Sequence, residues 1–151
     1  VGGGFELMLA CDLVVAADHA MLGLPEVRRG LFAGAGGTLL GTRIPLPVAL
    51  EITLTGALID ASRAAALGLV NRVVPHAELD AFVDDWAARL AGGPPLALAM
   101  SKRLLNNSFS MTLSEALDAE GFTQTVNFAS SDTREAIMAF LQKRQPAFTG
   151  H

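Results

Sequence analysis

The pattern of hydrophobic residues divides the chain into a strand-containing part and a helical part. Residues 13–17 form a continuous apolar run, which is typical of a strand covered on both faces, and residues 69–74 predict the last strand of the chain. Residues 21–24 form a shorter run that Pro25 ends. Residues 5–11 are apolar nearly all round and predict a short buried helix. This order of glycine turn, helix, strands and glycine loop predicts an α/β layered core.

The chain after Pro75 is predicted to be helical. An amphipathic stripe that ends at Gly92-Gly93 is formed by Leu79, Phe82, Val83, Trp86 and Leu90. Two segments have the form of a capping box, Thr112 to Glu115 and Asp132 to Glu135, and each predicts the start of a helix. We therefore expect residues 1–57 to form part of the α/β core and residues 58–151 to form a mainly helical region.

Composition and charge exclude several classes of function. The chain has 151 residues, of which 51% are hydrophobic, so it can build a core. Its net charge is −4 and its 11 basic residues are scattered, which disfavours nucleic-acid binding. Asp12, Asp18 and His19 interrupt the longest apolar stretch, so no ordinary membrane span is predicted. The single cysteine, Cys11, allows neither an internal disulfide nor a cysteine metal cluster and favours a reducing, cytoplasmic location.

The first candidate chemistry lies at the start of the chain. The run Gly2-Gly3-Gly4 leaves a helix entry without side chains, and the N–H groups there can stabilise negative charge on a ligand oxygen. A flexible tether is the alternative. Glu6 follows among apolar residues, where an ionised carboxylate is costly, so it is a candidate proton-transfer group. The alternative is an acid that faces solvent at a helix N-terminus.

A second acid and a second glycine segment follow. Glu26 stands after Pro25 at a strand end, a position where α/β folds often keep their chemistry, although pairing with a nearby arginine is the simpler explanation. The N–H groups of residues 34–38 could hold a phosphate or a water, with a tight structural turn as the alternative. That loop has neither Walker A spacing nor a dinucleotide-binding fingerprint, and the three histidines show no metal-ligand spacing.

Seven segments in this order give the chain its resemblance to a known family. They are Gly2-Gly3-Gly4-Phe5-Glu6-Leu7, Ala10-Cys11-Asp12-Leu13, Gly23-Leu24-Pro25-Glu26-Val27, Gly34-Ala35-Gly36-Gly37-Thr38, Leu54-Thr55-Gly56, Ala66-Leu67-Gly68-Leu69-Val70-Asn71 and Phe140-Leu141-Gln142-Lys143-Arg144. Together they resemble the crotonase (enoyl-CoA hydratase/isomerase) superfamily. The resemblance implies the second half of a crotonase-like spiral ββα core, followed by a C-terminal helical trimerisation region.

The resemblance also implies roles for particular residues. Gly3 matches the donor of one oxyanion-hole N–H, and Gly34 matches the loop glycine whose N–H positions a water. Glu6 and Glu26 match the two glutamates that hold this water in enoyl-CoA hydratases. Phe140 and Lys143 fall where family members contact the coenzyme A of a neighbouring subunit, so a homotrimer or a dimer of trimers is implied.

The implied reaction is hydration of a trans-2-enoyl-CoA thioester, of the kind found in fatty-acid β-oxidation. The coenzyme A thioester is then the substrate, and no metal or covalently bound cofactor is implied. An enoyl-CoA isomerase, a carnitinyl-CoA-type dehydratase and a non-catalytic CoA-binding subunit remain alternatives. The chain begins at Val1, inside the glycine motif. We therefore expect the family's N-terminal half to belong to the same gene product and the isolated fragment to be inactive.

Overall fold

Four short strands pair two by two in the computed structural model, which describes all 151 residues. They are β1 (Val15–Ala17), β2 (Met21–Leu22), β3 (Ile59–Asp60) and β4 (Arg72–Val74). β1 runs parallel to β4, and β2 runs antiparallel to β3. The strand predictions for β1, β2 and β4 hold, although each strand is shorter than its apolar run. β3 was not predicted, because two residues carry no recognisable alternation.

Helices make up most of the remaining chain. They are α1 (Gly3–Leu9), α2 (Leu40–Arg43), α3 (Leu46–Thr55), α4 (Ala61–Ala66), α5 (Leu79–Ala91), α6 (Pro95–Asn107), α7 (Leu113–Ala129) and α8 (Ser131–Leu141). Single 3₁₀ turns cover Pro25–Arg29, Gly37–Leu39, His76–Glu78 and Ser108–Ser110. No helix is both long and apolar enough to cross a membrane.

One of the two predicted capping boxes is present. At the start of α7, the Thr112 side chain accepts a hydrogen bond from the Glu115 backbone N–H, and Glu115 accepts one from the Thr112 backbone N–H. The prediction for Asp132 was wrong. Ser130 caps α8, and the Asp132 carboxylate is buried and accepts hydrogen bonds from the backbone N–H groups of Thr149 and Gly150. These bonds lower the pKa of Asp132.

The chain folds as two compact units, Val1–Asp84 and Asp85–His151. The first unit contains all four strands and a hydrophobic core in which Phe5, Leu24 and Leu40 are almost fully buried. Residues 58–84, which the sequence groups with the helical region, lie in this first unit. They do so because β3 and β4 complete the two strand pairs.

The second unit is helical, and its helices bury little. Neither α6 nor α7 contains a buried residue, whereas α8 buries only Asp132 and Ala139. Large apolar side chains on this unit are exposed instead, among them Leu105, Phe109, Leu113, Phe122, Phe128 and Phe140. An apolar surface of this kind is typical of a face that contacts another protein surface.

Candidate active site

Glu6 is a buried acid held in place by backbone amides. It lies in the first turn of α1, and only 4% of the residue is exposed. Its Oε1 atom accepts hydrogen bonds from the N–H groups of Ala35 and Gly37, at 3.0 Å and 3.1 Å. Two such donors fix the direction of the side chain.

The glycine loop is shaped around this carboxylate. Gly36 has a φ of 146°, a backbone conformation that residues other than glycine rarely adopt. A Cβ on Gly37 would lie 2.5 Å from the Ala33 Cβ and 3.4 Å from Glu6 Oε1, so only glycine fits there. From the sequence, the loop's N–H groups could bind a phosphate or a water, or the loop could be a tight structural turn. In the structure, the N–H groups of Ala35 and Gly37 donate to Glu6. The sequence did not predict this role for these two residues.

Glu26 lies in the 3₁₀ turn that follows β2. Pro25 opens the turn, and Arg28 ties it to the end of α3 through a 3.1 Å hydrogen bond from Nε to the Thr55 carbonyl. The side chain is partly buried, and its Oε2 atom is inaccessible and has no hydrogen-bond partner. Most buried polar atoms are hydrogen-bonded, so an unpartnered carboxylate oxygen is unusual and marks a candidate functional group.

Both acids lie next to the same glycine turn. A Cβ built on Gly2 would lie 2.9 Å from Glu26 Oε1, and a Cβ built on Gly3 would lie 4.0 Å from Glu6 Oε2. The Gly2 N–H donates a 2.9 Å hydrogen bond to the Gly23 carbonyl, which joins the turn to the segment leading into Glu26. The fold therefore brings together two carboxylates and the N-terminal backbone of α1. Gly34, the predicted water-positioning residue, is exposed in the adjacent loop.

An apolar groove adjoins Glu26. It has a volume of about 600 Å³, and Glu26 is the only charged residue in its wall. Most of its other lining residues are apolar, including Leu24, Val27, Leu31, Phe32, Leu50 and Leu54. Such a wall suits an uncharged aliphatic group beside a single carboxylate.

Phe140 and Lys143 belong to the second unit and are both exposed. Phe140 lies in the last turn of α8, with 83% of the residue accessible, and Lys143 follows the helix end. Beside them Arg144 donates to both carboxylate oxygens of Glu135, at 2.5 Å and 2.8 Å. This bidentate bond, with a further one from the Ala147 N–H, lowers the pKa of Glu135 to about 2.

The remaining titratable side chains form no comparable constellation. His19 and His76 meet edge to face with ring centroids 5.0 Å apart, and His19 lies 3.4 Å from the exposed Asp18 carboxylate. No group of three or more His, Cys, Asp or Glu side chains is placed to hold a metal ion. The paired carboxylates Glu6 and Glu26 are therefore the candidate chemical centre.

The chain matches a family of known proteins over its whole length. A family model described as enoyl-CoA hydratase/isomerase matches residues 1–151. Enoyl-CoA isomerase/hydratase fer4 of Mycosarcoma maydis is 38% identical over 152 residues, covering 99% of this chain and 56% of that protein. The 2,3-dehydroadipyl-CoA hydratase of Escherichia coli is 39% identical over 151 residues, covering 99% and 59%.

Solved structures show the same relationship in three dimensions. An enoyl-CoA hydratase from Bacillus anthracis superposes with a TM-score of 0.94 at 36% identity, covering 99% of this chain and 58% of that one. An enoyl-CoA hydratase from Mycobacterium tuberculosis superposes with a TM-score of 0.91 at 39% identity. This chain spans just over half the length of such relatives. The protein belongs to the enoyl-CoA hydratase/isomerase family, within the crotonase superfamily.

Proposed function

We propose that the protein acts as an enoyl-CoA hydratase, adding water with syn geometry to a trans-2-enoyl-CoA thioester. The observation that carries this proposal is that Glu6 and Glu26 both lie next to the Gly2-Gly3 turn. Two carboxylates beside one turn can divide the work of proton transfer, one accepting a proton from water and the other delivering one to carbon.

The proposed reaction uses the two acids and the glycine turn together. One glutamate takes a proton from water as the water oxygen bonds to the β-carbon, and the π electrons move onto the thioester oxygen as an enolate. The Gly3 N–H stabilises that oxygen, a contribution of roughly 3 kcal/mol for one such donor. The enolate then collapses and its α-carbon takes a proton from the other glutamate. The Gly34 N–H helps to position the water.

The groove next to Glu26 supports hydration of an uncharged acyl group. Its apolar wall favours an aliphatic chain over the quaternary ammonium of a carnitinyl group. The hydrogen bonds from backbone N–H groups hold Glu6 in one orientation, which suits stereospecific proton transfer. No metal and no covalently bound cofactor has a role in the proposed reaction.

The substrate assay separates hydratase from its rivals. Purified full product of the gene is offered crotonyl-CoA and, separately, a 3-enoyl-CoA. We expect crotonyl-CoA to lose the ultraviolet absorbance of its conjugated thioester, with far slower conversion of the 3-enoyl isomer. Preferred turnover of the 3-enoyl substrate would instead establish an isomerase. CoA binding without any turnover would establish a non-catalytic subunit.

We further propose that the protein assembles as a homotrimer or a dimer of trimers, in which Phe140 and Lys143 contact the coenzyme A of a neighbouring subunit. The exposed apolar side chains of the second unit support this assembly. Analytical ultracentrifugation of the full gene product should give three or six times the protomer mass. A monomer at micromolar concentration would contradict the proposal.

A further inference from the structure

One side chain joins the two walls of the groove beside Glu26. Residues 24–33 form one wall. The other wall is the second half of α3, which contributes Leu50, Thr53 and Leu54. Arg28 Nε, on the first wall, donates a 3.1 Å hydrogen bond to the carbonyl of Thr55, the last residue of α3. No backbone hydrogen bond connects the two walls, so this side-chain bond is the polar link between them.

The end of α3 favours such a bond. The last carbonyls of a helix have no partner within the helix, and the helix dipole favours a cation beside them. α3 has no basic residue in its own last turn, so Arg28 supplies the cation from the opposite wall. The stem of Arg28 also lies across Gly56, because a Cβ built on that glycine would be 3.0 Å from both Arg28 Cγ and Arg28 Nε. Both the aliphatic stem and the guanidinium group of Arg28 are therefore positioned.

Arg28 acts on the groove from outside it. Its side chain is exposed and does not line the groove, and its bond goes to a carbonyl while Glu26 Oε2 has no hydrogen-bond partner. Arg28 and Glu26 lie in the same 3₁₀ turn. A shift of this turn away from α3 would therefore widen the groove.

We propose that Arg28 is a positioning residue that determines acyl-chain selectivity, because its bond to α3 sets the width of the groove that receives the chain. This inference rests on the proposed function for the identity of the ligand. A four-carbon acyl group has a single methyl group beyond its β-carbon and reaches little of the groove, whereas an eight-carbon group contacts both walls. Arg28 therefore affects the binding of long chains and not of short ones.

The test compares the affinities of two saturated thioesters, butyryl-CoA and octanoyl-CoA, which have no double bond to hydrate. In the full gene product, Arg28→Met keeps an unbranched stem and removes the donor. Octanoyl-CoA should then bind about two- to tenfold more weakly by calorimetry, the range that one hydrogen bond contributes. Binding of butyryl-CoA should be unchanged. An equal loss for both ligands, or no loss for octanoyl-CoA, would overturn the proposal.

Two further variants separate the bond from other effects of the substitution. Arg28→Lys keeps a long stem and N–H donors, so it should retain most of the affinity for octanoyl-CoA. Arg29→Met is the matched control, because Arg29 is exposed, lies in the same turn and does not line the groove. A selective loss of octanoyl-CoA binding in Arg29→Met as large as in Arg28→Met would assign the effect to surface charge and refute the inference.

Hydrogen exchange tests the link between the walls without any ligand. The Leu31 N–H donates to the Glu26 carbonyl at 3.2 Å, within the wall that Arg28 ties to α3. This N–H should exchange faster in Arg28→Met than in Arg29→Met, because the turn is less well held. Equal exchange would refute the inference whatever the activity of the protein. Faster exchange and a selective loss of octanoyl-CoA binding would support it even if crotonyl-CoA were not hydrated, a result that would refute the proposed function alone.

Discussion

Replacing Glu26 with glutamine is expected to lower kcat for hydration about a hundredfold to ten-thousandfold, the usual contribution of a positioned acid or base. The substitution keeps the shape of the side chain, but an amide can neither accept nor deliver the proton. KM for the enoyl thioester should change little, because the groove beside Glu26 is lined mostly by apolar residues that the substitution leaves intact. The measurement is steady-state kinetics with crotonyl-CoA on the full gene product.

Glu6→Gln should cause a loss of the same order, since Glu6 is proposed as the other member of the pair. Its amide oxygen can still accept the bonds from Ala35 and Gly37, so the variant should fold. Glu51→Gln is the matched control, because Glu51 is an exposed acid on α3 that does not line the groove beside Glu26. Full activity in either active-site variant would remove that glutamate from the mechanism.

Gly37→Ala is expected to have the largest effect on stability. Gly37 is buried, and an added Cβ would lie 2.5 Å from the Cβ of Ala33, a distance that requires the loop backbone to move. Overpacking of this kind costs about 1–3 kcal/mol of unfolding free energy. The same movement displaces an N–H donor from Glu6, so kcat should fall as well. Urea unfolding and steady-state kinetics measure the two effects.

Gly41→Ala provides the comparison for this variant. A Cβ at Gly41 would meet its nearest neighbour, the Leu46 side chain, at an ordinary contact distance of 3.9 Å. Gly41 also lies within α2, where alanine is favoured over glycine, so its free energy of unfolding should stay the same or rise slightly. Equal destabilisation by the two substitutions would mean that crowding at position 37 is not the cause.

Local sequence signals predicted much of the secondary structure. The apolar runs around β1 and β4 and the capping box at Thr112 depend on residues close together in the chain, and each appears in the structure. Asp132 fits the same local rule as Thr112, yet its carboxylate binds Thr149 and Gly150. The Asp132 carboxylate binds two backbone N–H groups of a segment 17 and 18 residues further along the chain instead of capping its own helix. A short-range sequence pattern does not reveal such partners.

The candidate site was likewise predicted only in part: its acids were found from the sequence, but the hydrogen-bond partners of Glu6 were not. Glu6 and Glu26 were identified by motif, and their approach to one turn follows from how the strands and helices pack. The donors to Glu6 come from residues 29 and 31 positions further along the chain. The sequence showed that the loop offered N–H groups but not what they would bind. A buried acid needs donors, and a nearby glycine-rich segment was the signal that could have supplied them.

The parallel pairing of β1 with β4 affects how this chain folds. Residues 18–71 connect the two strands, and closing so long a connection costs chain entropy before strand contacts offset it. Glu26 lies inside that connection, so it belongs to the segment that must be ordered when the two strands pair. Helices can form earlier from local contacts alone. We therefore expect the helical circular dichroism signal of refolding molecules to begin to appear before their activity does.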